Sequence, residues 1–476
     1  MSPSPTSDAP TARPRMPVPD GTIPVGIALL VAGIATFAFF RIGTIAVGGE
    51  DEFTPIVSLW FATFALAPGF FLPLEQELGR ALAHRRAIGD GSAPVVRKIT
   101  RLSAVLVAVI VLVILIASPL IASSYFDGDW LMVLALMAAF AAFAPAHVAR
   151  GICSGSGRFR DYALIMGSDG VIRIVLTILL AIVGIKAAGV YGLAIAVSPL
   201  FAVWYVWRRG ALKPFPRYRA ATVEAPSATH DTLDHWEPDI VHDPNDALDE
   251  GSPAEWNEVT PNLGWLLLGS VFAAALLNAG PITATLLAND NEGDFVTKFS
   301  FGVLLARVPL FLFQAVQAAL LPGLSRLAAR GELVEFRAGL LRLAYLVVAV
   351  GVVGTAGAFI LGPFAADVVY EVDLSGRTLA MLALASSFYM LALALGQAVI
   401  ALKGHALVAL GWGIGVVTFV LVTWLSSDEL FRRIEIGLLA SSIAALIAFA
   451  IALQRRLASG VIPDQGSVIE ATAPLE

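Results

Sequence analysis

The stretch FGVLLARVPLFLFQAVQAALL, residues 301–321, is almost wholly apolar but carries an arginine and a proline near its centre. A run of about 20 apolar residues is long enough to cross a bilayer as a helix. An arginine at the centre of such a helix costs about 2.5–3.5 kcal/mol, so we expect Arg307 to face a partner or a cavity. Pro309 removes a backbone hydrogen bond and is expected to bend this helix close to Arg307.

The rest of the chain has the same apolar character. Of its 476 residues, 57% are hydrophobic and 14% are charged, and the mean hydropathy is +0.79. Soluble domains average about 25% charged residues. We therefore predict an all-α polytopic membrane protein with about twelve transmembrane helices. The predicted spans are 24–47, 54–73, 102–123, 128–148, 162–185, 187–207, 263–287, 295–322, 339–364, 377–402, 404–425 and 434–454.

The loops between these spans alternate in charge. Lys and Arg concentrate in every second segment, whereas the intervening loops are short and mostly acidic, for example GGEDEF at 48–53 and NDNEGD at 289–294. Because cytoplasmic loops carry the excess of Lys and Arg, we predict that both termini lie on the cytoplasmic side.

One cytoplasmic segment, residues 220–260, contains no Lys or Arg and is rich in Asp and Glu. High net charge with low hydrophobicity predicts disorder. The segment is interpreted as a flexible linker, with a docking segment for cytoplasmic biosynthetic enzymes as the alternative. The predicted organisation is a disordered tail at 1–22, a six-helix lobe at 23–208, the acidic linker at 209–261, a second six-helix lobe at 262–456 and a disordered tail at 457–476.

The two halves share a local pattern. LPLEQELGRALAHR (72–85) follows span 2 and LPGLSRLAARGEL (321–333) follows span 8, so each half has Leu-Pro and then a basic, Ala-rich stretch. An even number of spans per half makes the two repeats parallel. Such repeats are typical of transporters, whose substrate site lies at the repeat interface.

Two arginines lie deep in the predicted spans. Arg41 lies about 10 Å, and Arg307 about 18 Å, below the outer ends of their helices at 1.5 Å per residue. No acidic residue lies deep in spans 1, 2, 7 or 8, so we expect a positively charged cavity that suits an anion such as phosphate. The alternative is that both arginines contact backbone carbonyls.

Polar and kinked positions surround this expected cavity. Gln314, Gln317 and Asn278 suit a hydroxyl-rich ligand such as a sugar, or else they bond neighbouring helices. Pro281 and Pro68, like Pro309, are candidate hinges, with a fixed packing kink as the alternative.

Two further charges lie in span 5, where Arg173 follows Asp169 by four residues. This spacing predicts an ion pair within one helix.

No motif indicates catalysis. The sequence contains no nucleotide-binding G-x-x-x-x-G-K-[ST] and no H-E-x-x-H, and its only cysteine is Cys153. We expect neither an enzyme nor a cofactor or metal site, and no nucleic-acid partner.

The segment FGVLLARVPLFLFQAVQAALLPGLSRLAARGE (301–332) resembles the eighth helix and following loop of the multidrug/oligosaccharidyl-lipid/polysaccharide (MOP) exporter superfamily. The resemblance rests on Arg307, Pro309 and the L-P-x-L-S ending at 321–325, and it is strongest to the polysaccharide and lipid II flippase branches. It implies a V-shaped pair of six-helix lobes. It also implies a cationic cavity between helices 1, 2, 7 and 8 that receives the diphosphate of a polyprenyl-linked saccharide.

Two departures weigh against lipid II itself. Lipid II flippases typically have fourteen helices, and Arg41 is followed by Ile42 where that family has an acidic residue. The expected function is a flippase for a lipid-linked saccharide in the bacterial plasma membrane. The alternatives are a cation-coupled multidrug exporter of the same superfamily and a non-transporting scaffold for envelope biosynthesis.

Overall fold

The computed structural model describes residues 22–217, 251–254, 263–288, 293–310, 313, 324, 327–328 and 331–458. These described residues form α-helices joined by short turns and contain no β-strand. The helices are α1 (Thr22–Val47), α2 (Glu50–Ala87), α3 (Ala93–Tyr125), α4 (Trp130–Gly155), α5 (Phe159–Val183), α6 (Ala188–Arg208), α7 (Leu263–Leu287), α8 (Gly293–Ala306), α9 (Leu333–Ile360), α10 (Gly362–Tyr370), α11 (Gly376–Ala401), α12 (His405–Leu425) and α13 (Leu430–Ala458).

Eleven of the described helices are long and apolar enough to cross a membrane, and α8 adds a shorter apolar segment, Phe295–Ala306. A helix satisfies its own backbone hydrogen bonds, which is what a segment surrounded by lipid requires. This confirms the all-α polytopic prediction. The second half of the predicted span 295–322 lies largely outside the described residues, as do both predicted tails apart from residue 22 and residues 457–458.

Helix α2 is much longer than the predicted span 54–73. It continues through the amphipathic stretch that follows, and Pro55, Pro68 and Pro73 all lie inside it. The boundary prediction was wrong because that stretch is polar but rich in Leu, Ala, Glu and Arg, which are good helix formers. Helix α3 likewise begins at Ala93, nine residues before its predicted start.

The helices form two lobes. In the first, α1 packs on α5, and α4 packs on α2 and α6. In the second, α11 packs on α9 and α13, and α12 packs on α7 and α13. The lobes meet mainly where α2 contacts α7 and α8.

Helix α3 shows how the sequence distinguishes core from lipid. Its buried positions, including Ser103, Ile110, Ile114 and Ser118, repeat at helical spacing along one face. The opposite face exposes Leu112 and Ile116 among other apolar side chains. An apolar surface of this kind on a membrane helix faces lipid.

Candidate functional site

The chain leaves α-helical geometry at Arg307. Helix α8 ends at Ala306, the Arg307 N–H donates to the Leu304 carbonyl three residues back at 3.1 Å, and helical structure resumes at Val308. Pro309 lacks an N–H and its ring clashes with the carbonyl of residue 305 in a regular helix. The interruption of the helix therefore falls next to Pro309, where a bend is predicted.

The Arg307 side chain is 8% exposed and is held by neutral groups. Its Nη1 donates to Asn278 Oδ1 at 2.9 Å, and its Nη2 donates to the Leu277 carbonyl on the same helix, α7. The guanidinium also lies over the ring of Phe61, 5.5 Å from its centroid, and Phe61 belongs to the other lobe. Arg307 therefore contributes to the surface where the two lobes meet.

No described carboxylate forms an ion pair with Arg307. The cavity beside it has a volume of about 30 Å³ and is lined in part by Tyr389, Ser386 and Ser442. A cavity of this size holds little more than a water molecule. In this conformation Arg307 is positively charged and buried, and the cavity that the described residues form beside it is too small for a substrate.

Arg41 differs from the expected unpaired cation. It donates to the carboxylate of Glu371, in an ion pair whose side chains are 31% and 71% exposed respectively. Glu371 follows the short helix α10, which brings it from the second lobe to the end of α1. Glu371 is 330 residues away in sequence, so no local spacing indicated this ion pair.

Hydroxyl and aromatic side chains join the lobes at the predicted outer end of the helices. Thr54 Oγ1 lies 2.8 Å from Thr297 Oγ1, and Ser58 Oγ lies 3.0 Å from Thr285 Oγ1. In the aromatic layer beside them, Phe40 of the first lobe meets Phe301 of the second with ring centroids 5.7 Å apart. Similarly, the Phe37 and Tyr370 centroids lie 6.4 Å apart. The lobes are closed against each other at this end.

Asp169 and Arg173 form the ion pair within α5 that their spacing predicts. Asp169 also accepts a hydrogen bond from the Ser198 hydroxyl on α6. The Arg173 guanidinium lies 4.4 Å from the Trp60 ring centroid and 4.8 Å from that of Phe64, so aromatic faces from α2 enclose it. Cation–π contacts of this kind stabilise a charge that has left water.

A second buried charged cluster was not predicted. Glu75 on α2 accepts hydrogen bonds from Arg150 Nε at 3.0 Å and from the Tyr162 hydroxyl at 2.9 Å, and its Oε2 lies 2.8 Å from His147 Nδ1. Glu75 and His147 are almost fully buried. The cluster joins α2, α4 and α5. The three-residue spacing of His147 and Arg150 was visible in the sequence, but nothing there placed them against Glu75.

The remaining predicted site residues are less informative. Asn278 also donates to the Ala274 carbonyl at 3.0 Å, so its amide bonds within α7 as well as to Arg307. Helix α7 is continuous through Pro281. Gln314 and Gln317 lie outside the described residues. No group of three or more His, Cys, Asp or Glu side chains among the described residues is arranged to hold a metal ion.

Comparisons with known proteins identify the fold. No protein-family model matches this sequence, and no curated protein matches it either. Among solved structures, an inward-facing multidrug resistance MATE family transporter of the MOP superfamily aligns with a TM-score of 0.61 at 16% identity, over 94% of this chain and 100% of that one. An outward-facing structure of a multidrug resistance MATE family transporter gives 0.62 at 15% identity, over 92% and 96%.

A point mutant of the Vibrio cholerae MATE transporter VcmN gives a TM-score of 0.62 at 14% identity, over 93% of this chain and 97% of that one. The chain therefore has the two-lobed fold of MATE transporters of the MOP superfamily. These neighbours come from the multidrug branch, and they give no support to the flippase branch that the sequence resembles.

Proposed function

We propose that this protein is a membrane transporter that works by alternating access and exports small amphipathic compounds. The observation that carries the proposal is the interface between the two lobes, where α2 of the first lobe meets α7 and α8 of the second. The same fold is solved in inward-facing and outward-facing conformations in MATE transporters. Those neighbours are described as multidrug resistance transporters, which favours this substrate class over lipid-linked saccharides.

The polar contacts at the predicted outer end are individually weak. A neutral hydrogen bond such as Thr54–Thr297 contributes about 1 kcal/mol, and an exposed ion pair such as Arg41–Glu371 contributes about 0–1 kcal/mol. Within each lobe, helices such as α1 and α5 pack along each other. Separation at this end would give a substrate access to the surface between the lobes.

Cation coupling is part of the proposal. Among the predicted spans, Asp169 is the deep carboxylate that can exchange a proton or sodium ion, and its ion pair with Arg173 would have to open for it to do so. Transport that persists unchanged in Asp169→Asn would argue against this role.

A second candidate is the flippase for lipid-linked saccharides, with Arg307 and Arg41 as the phosphate-binding residues. It is favoured by one observation: Arg307 lies at the lobe interface with no described carboxylate to neutralise it. In this case Arg307→Gln would abolish flipping in protein that still elutes as a folded monodisperse species, although the lost bonds to Asn278 and Leu277 would lower its stability. We also propose that the protein lies in the bacterial plasma membrane and that residues 220–260 recruit biosynthetic enzymes.

A disulfide across the lobe interface tests the transport proposal directly. Thr54→Cys and Thr297→Cys, introduced together with Cys153→Ala, place two thiols where two hydroxyls lie 2.8 Å apart. Vesicles containing the variant are assayed for uptake of a fluorescent organic cation and, separately, for flipping of a labelled polyprenyl phosphate.

We expect oxidation to arrest transport and reductant to restore it. The single variant Thr54→Cys in the same background is the control. Full crosslinking with undiminished transport of both substrates would contradict alternating access. In the reduced protein, transport of the organic cation alone would favour the exporter, and flipping of the polyprenyl phosphate alone would favour the flippase.

A further inference from the structure

The loop between α2 and α3, residues 88–92, receives the chain that leaves the first lobe after α6. The Ser92 N–H donates to the Phe215 carbonyl at 3.0 Å, and the Phe215 N–H donates to Ser92 Oγ at 2.8 Å. This reciprocal pair fixes the start of the segment between the lobes to the α2–α3 loop.

The same loop receives a second stretch of chain, the tetrapeptide GSPA at 251–254. The Ser252 N–H donates to Asp90 Oδ1 at 3.0 Å, and the Ser252 hydroxyl donates to Asp90 Oδ2. Arg85 Nη1 donates to the Ser252 carbonyl at 2.9 Å. Three hydrogen bonds therefore hold a single residue of the tetrapeptide.

The docking site is built from buried groups. Arg85 is 2% exposed, and it also donates to the Gly91 carbonyl at 2.7 Å and pairs with Asp90 at 3.3 Å. Partial burial would raise the pKa of Asp90, but hydrogen bonds from Ser252 and Gly91, together with Arg85, hold it below its ordinary value of 3.8. Asp90 is therefore charged in the cytoplasm and keeps its full strength as an acceptor.

The backbone of the tetrapeptide also fits closely. Gly251 has a φ of +92°, and a Cβ at this position would come within 2.6 Å of the Gly91 backbone. Only glycine allows both this conformation and this approach. At the other end of the tetrapeptide, Lys98 Nζ donates to the Ala254 carbonyl at 2.9 Å. Contacts thus extend over its whole length.

We infer that the α2–α3 loop anchors both ends of the acidic segment 218–250, which makes that segment an appendage of the first lobe. The covalent tether between the lobes is then only residues 255–262. Nine residue steps separate Ala254 from Leu263, the first residue of α7, so the tether spans at most about 30 Å when fully extended. Without the anchor, the chain from Arg217 to Leu263 could span about 150 Å.

The anchor limits how far the cytoplasmic end of α7 can move from the α2–α3 loop. It also keeps the acidic segment with the first lobe during any movement of the second. A linker that joins the lobes loosely would have neither property. This inference concerns tethering and holds whichever substrate the protein carries.

Disulfide trapping tests the anchor. Asp90→Cys and Ser252→Cys are combined with Cys153→Ala in the full-length protein, in detergent and in vesicles. The contacts of Arg85 and Lys98 with the tetrapeptide carbonyls remain available in this variant. After mild oxidation, a site-specific protease cuts a recognition sequence introduced at residues 224–230, so that the cysteine at 252 or, in the control, at 232 stays on the second half. The two halves are then separated on a non-reducing gel.

We expect the halves to remain joined until reductant is added. The control pair, Asp90→Cys with Thr232→Cys, places the second cysteine inside the acidic segment and should crosslink at least ten-fold more slowly. Equal rates for the two pairs would overturn the inference.

A charge variant provides an independent measurement. Ser252→Asp replaces a hydroxyl donor with a carboxylate directly against Asp90, so the tetrapeptide should detach. We expect cleavage by a Glu-specific protease after Glu250 to become at least ten-fold faster, while its cleavage after Glu224 in the same chain stays unchanged. The matched control is Ser227→Asp. Unchanged cleavage after Glu250 in the Ser252→Asp protein would also refute the anchor.

Discussion

Replacing Glu75 with glutamine tests whether the buried cluster on α2, α4 and α5 holds the first lobe together as a charged unit. The Glu75 carboxylate accepts from Arg150 and Tyr162 and lies 2.8 Å from His147 Nδ1, and its side chain is 4% exposed. Glutamine keeps the shape but removes the negative charge, which leaves the Arg150 guanidinium without its counter-ion.

The expected loss follows from the burial of Arg150. Breaking a buried ion pair by removing one partner destabilises a protein by about 3–5 kcal/mol. The Arg150 side chain is 17% exposed and keeps some contact with solvent, which places Glu75→Gln near the lower value. A loss of about 3 kcal/mol changes the unfolding equilibrium constant by about 150-fold, since each 1.4 kcal/mol is a factor of ten.

The double variant Glu75→Gln with Arg150→Gln provides the decisive comparison. It removes both charges, so it should be less destabilised than the sum of the two single variants by at least about 1 kcal/mol. Unfolding is followed by SDS titration of the purified protein in mild micelles. Arg80→Gln is the control, because Arg80 is 54% exposed and its pair with Glu77 should contribute less than about 1 kcal/mol. Additive losses in the double variant would refute the charge-pair reasoning.

Three further predictions concern the lobe interface and the anchor. Gly69→Leu should separate α2 from α7 and destabilise the closed lobes, because even a Cβ at Gly69 would meet the α7 backbone at 3.0 Å. Gly69→Ala should have a smaller effect, and thermal unfolding in detergent compares the two variants. Asn278→Leu removes the acceptor for the Arg307 guanidinium and should lower stability by about 2 kcal/mol in the same SDS titration, the contribution of a hydrogen bond to a charged group. The Ser252 amide should remain protected from hydrogen exchange from pH 7 down to about pH 4 and lose protection only at lower pH. The reason is that the pKa of Asp90 is lowered in the folded protein, so the hydrogen bond from Ser252 to its carboxylate is lost only when that carboxylate is protonated. Loss of protection at pH 5–6 would contradict this.

Local spacing and composition predicted the features that lie within one helix. The four-residue step from Asp169 to Arg173 was enough to indicate their ion pair, and the apolar runs located the helices. Pro309 marked the interruption at Arg307 for the same reason, since its effect is confined to one turn.

Features that depend on contacts between helices could not be predicted. The ion pair of Arg41 with Glu371 joins the two lobes, so no spacing along one helix could indicate it. The Glu75 cluster depends on the relative rotation of three helices, which no single spacing encodes. For Asn278 the sequence left open a sugar ligand or a bond to a neighbouring helix, and the structure shows the bond, because Asn278 accepts from Arg307 of α8's continuation.

Helix α2 can act as a lever. Its 38 residues give it a length of about 57 Å, whereas the hydrocarbon core of a bilayer is about 30 Å thick. The hydroxyl contacts with the second lobe lie near one end of this rod, and the α2–α3 loop lies at the other. A tilt of about 10° around the outer contacts would move the inner end by about 10 Å over this length. A small tilt of α2 about the outer contacts would thus produce a large displacement of the α2–α3 loop and of the acidic segment anchored to it. A spectroscopic label in that segment would therefore report the motion sensitively.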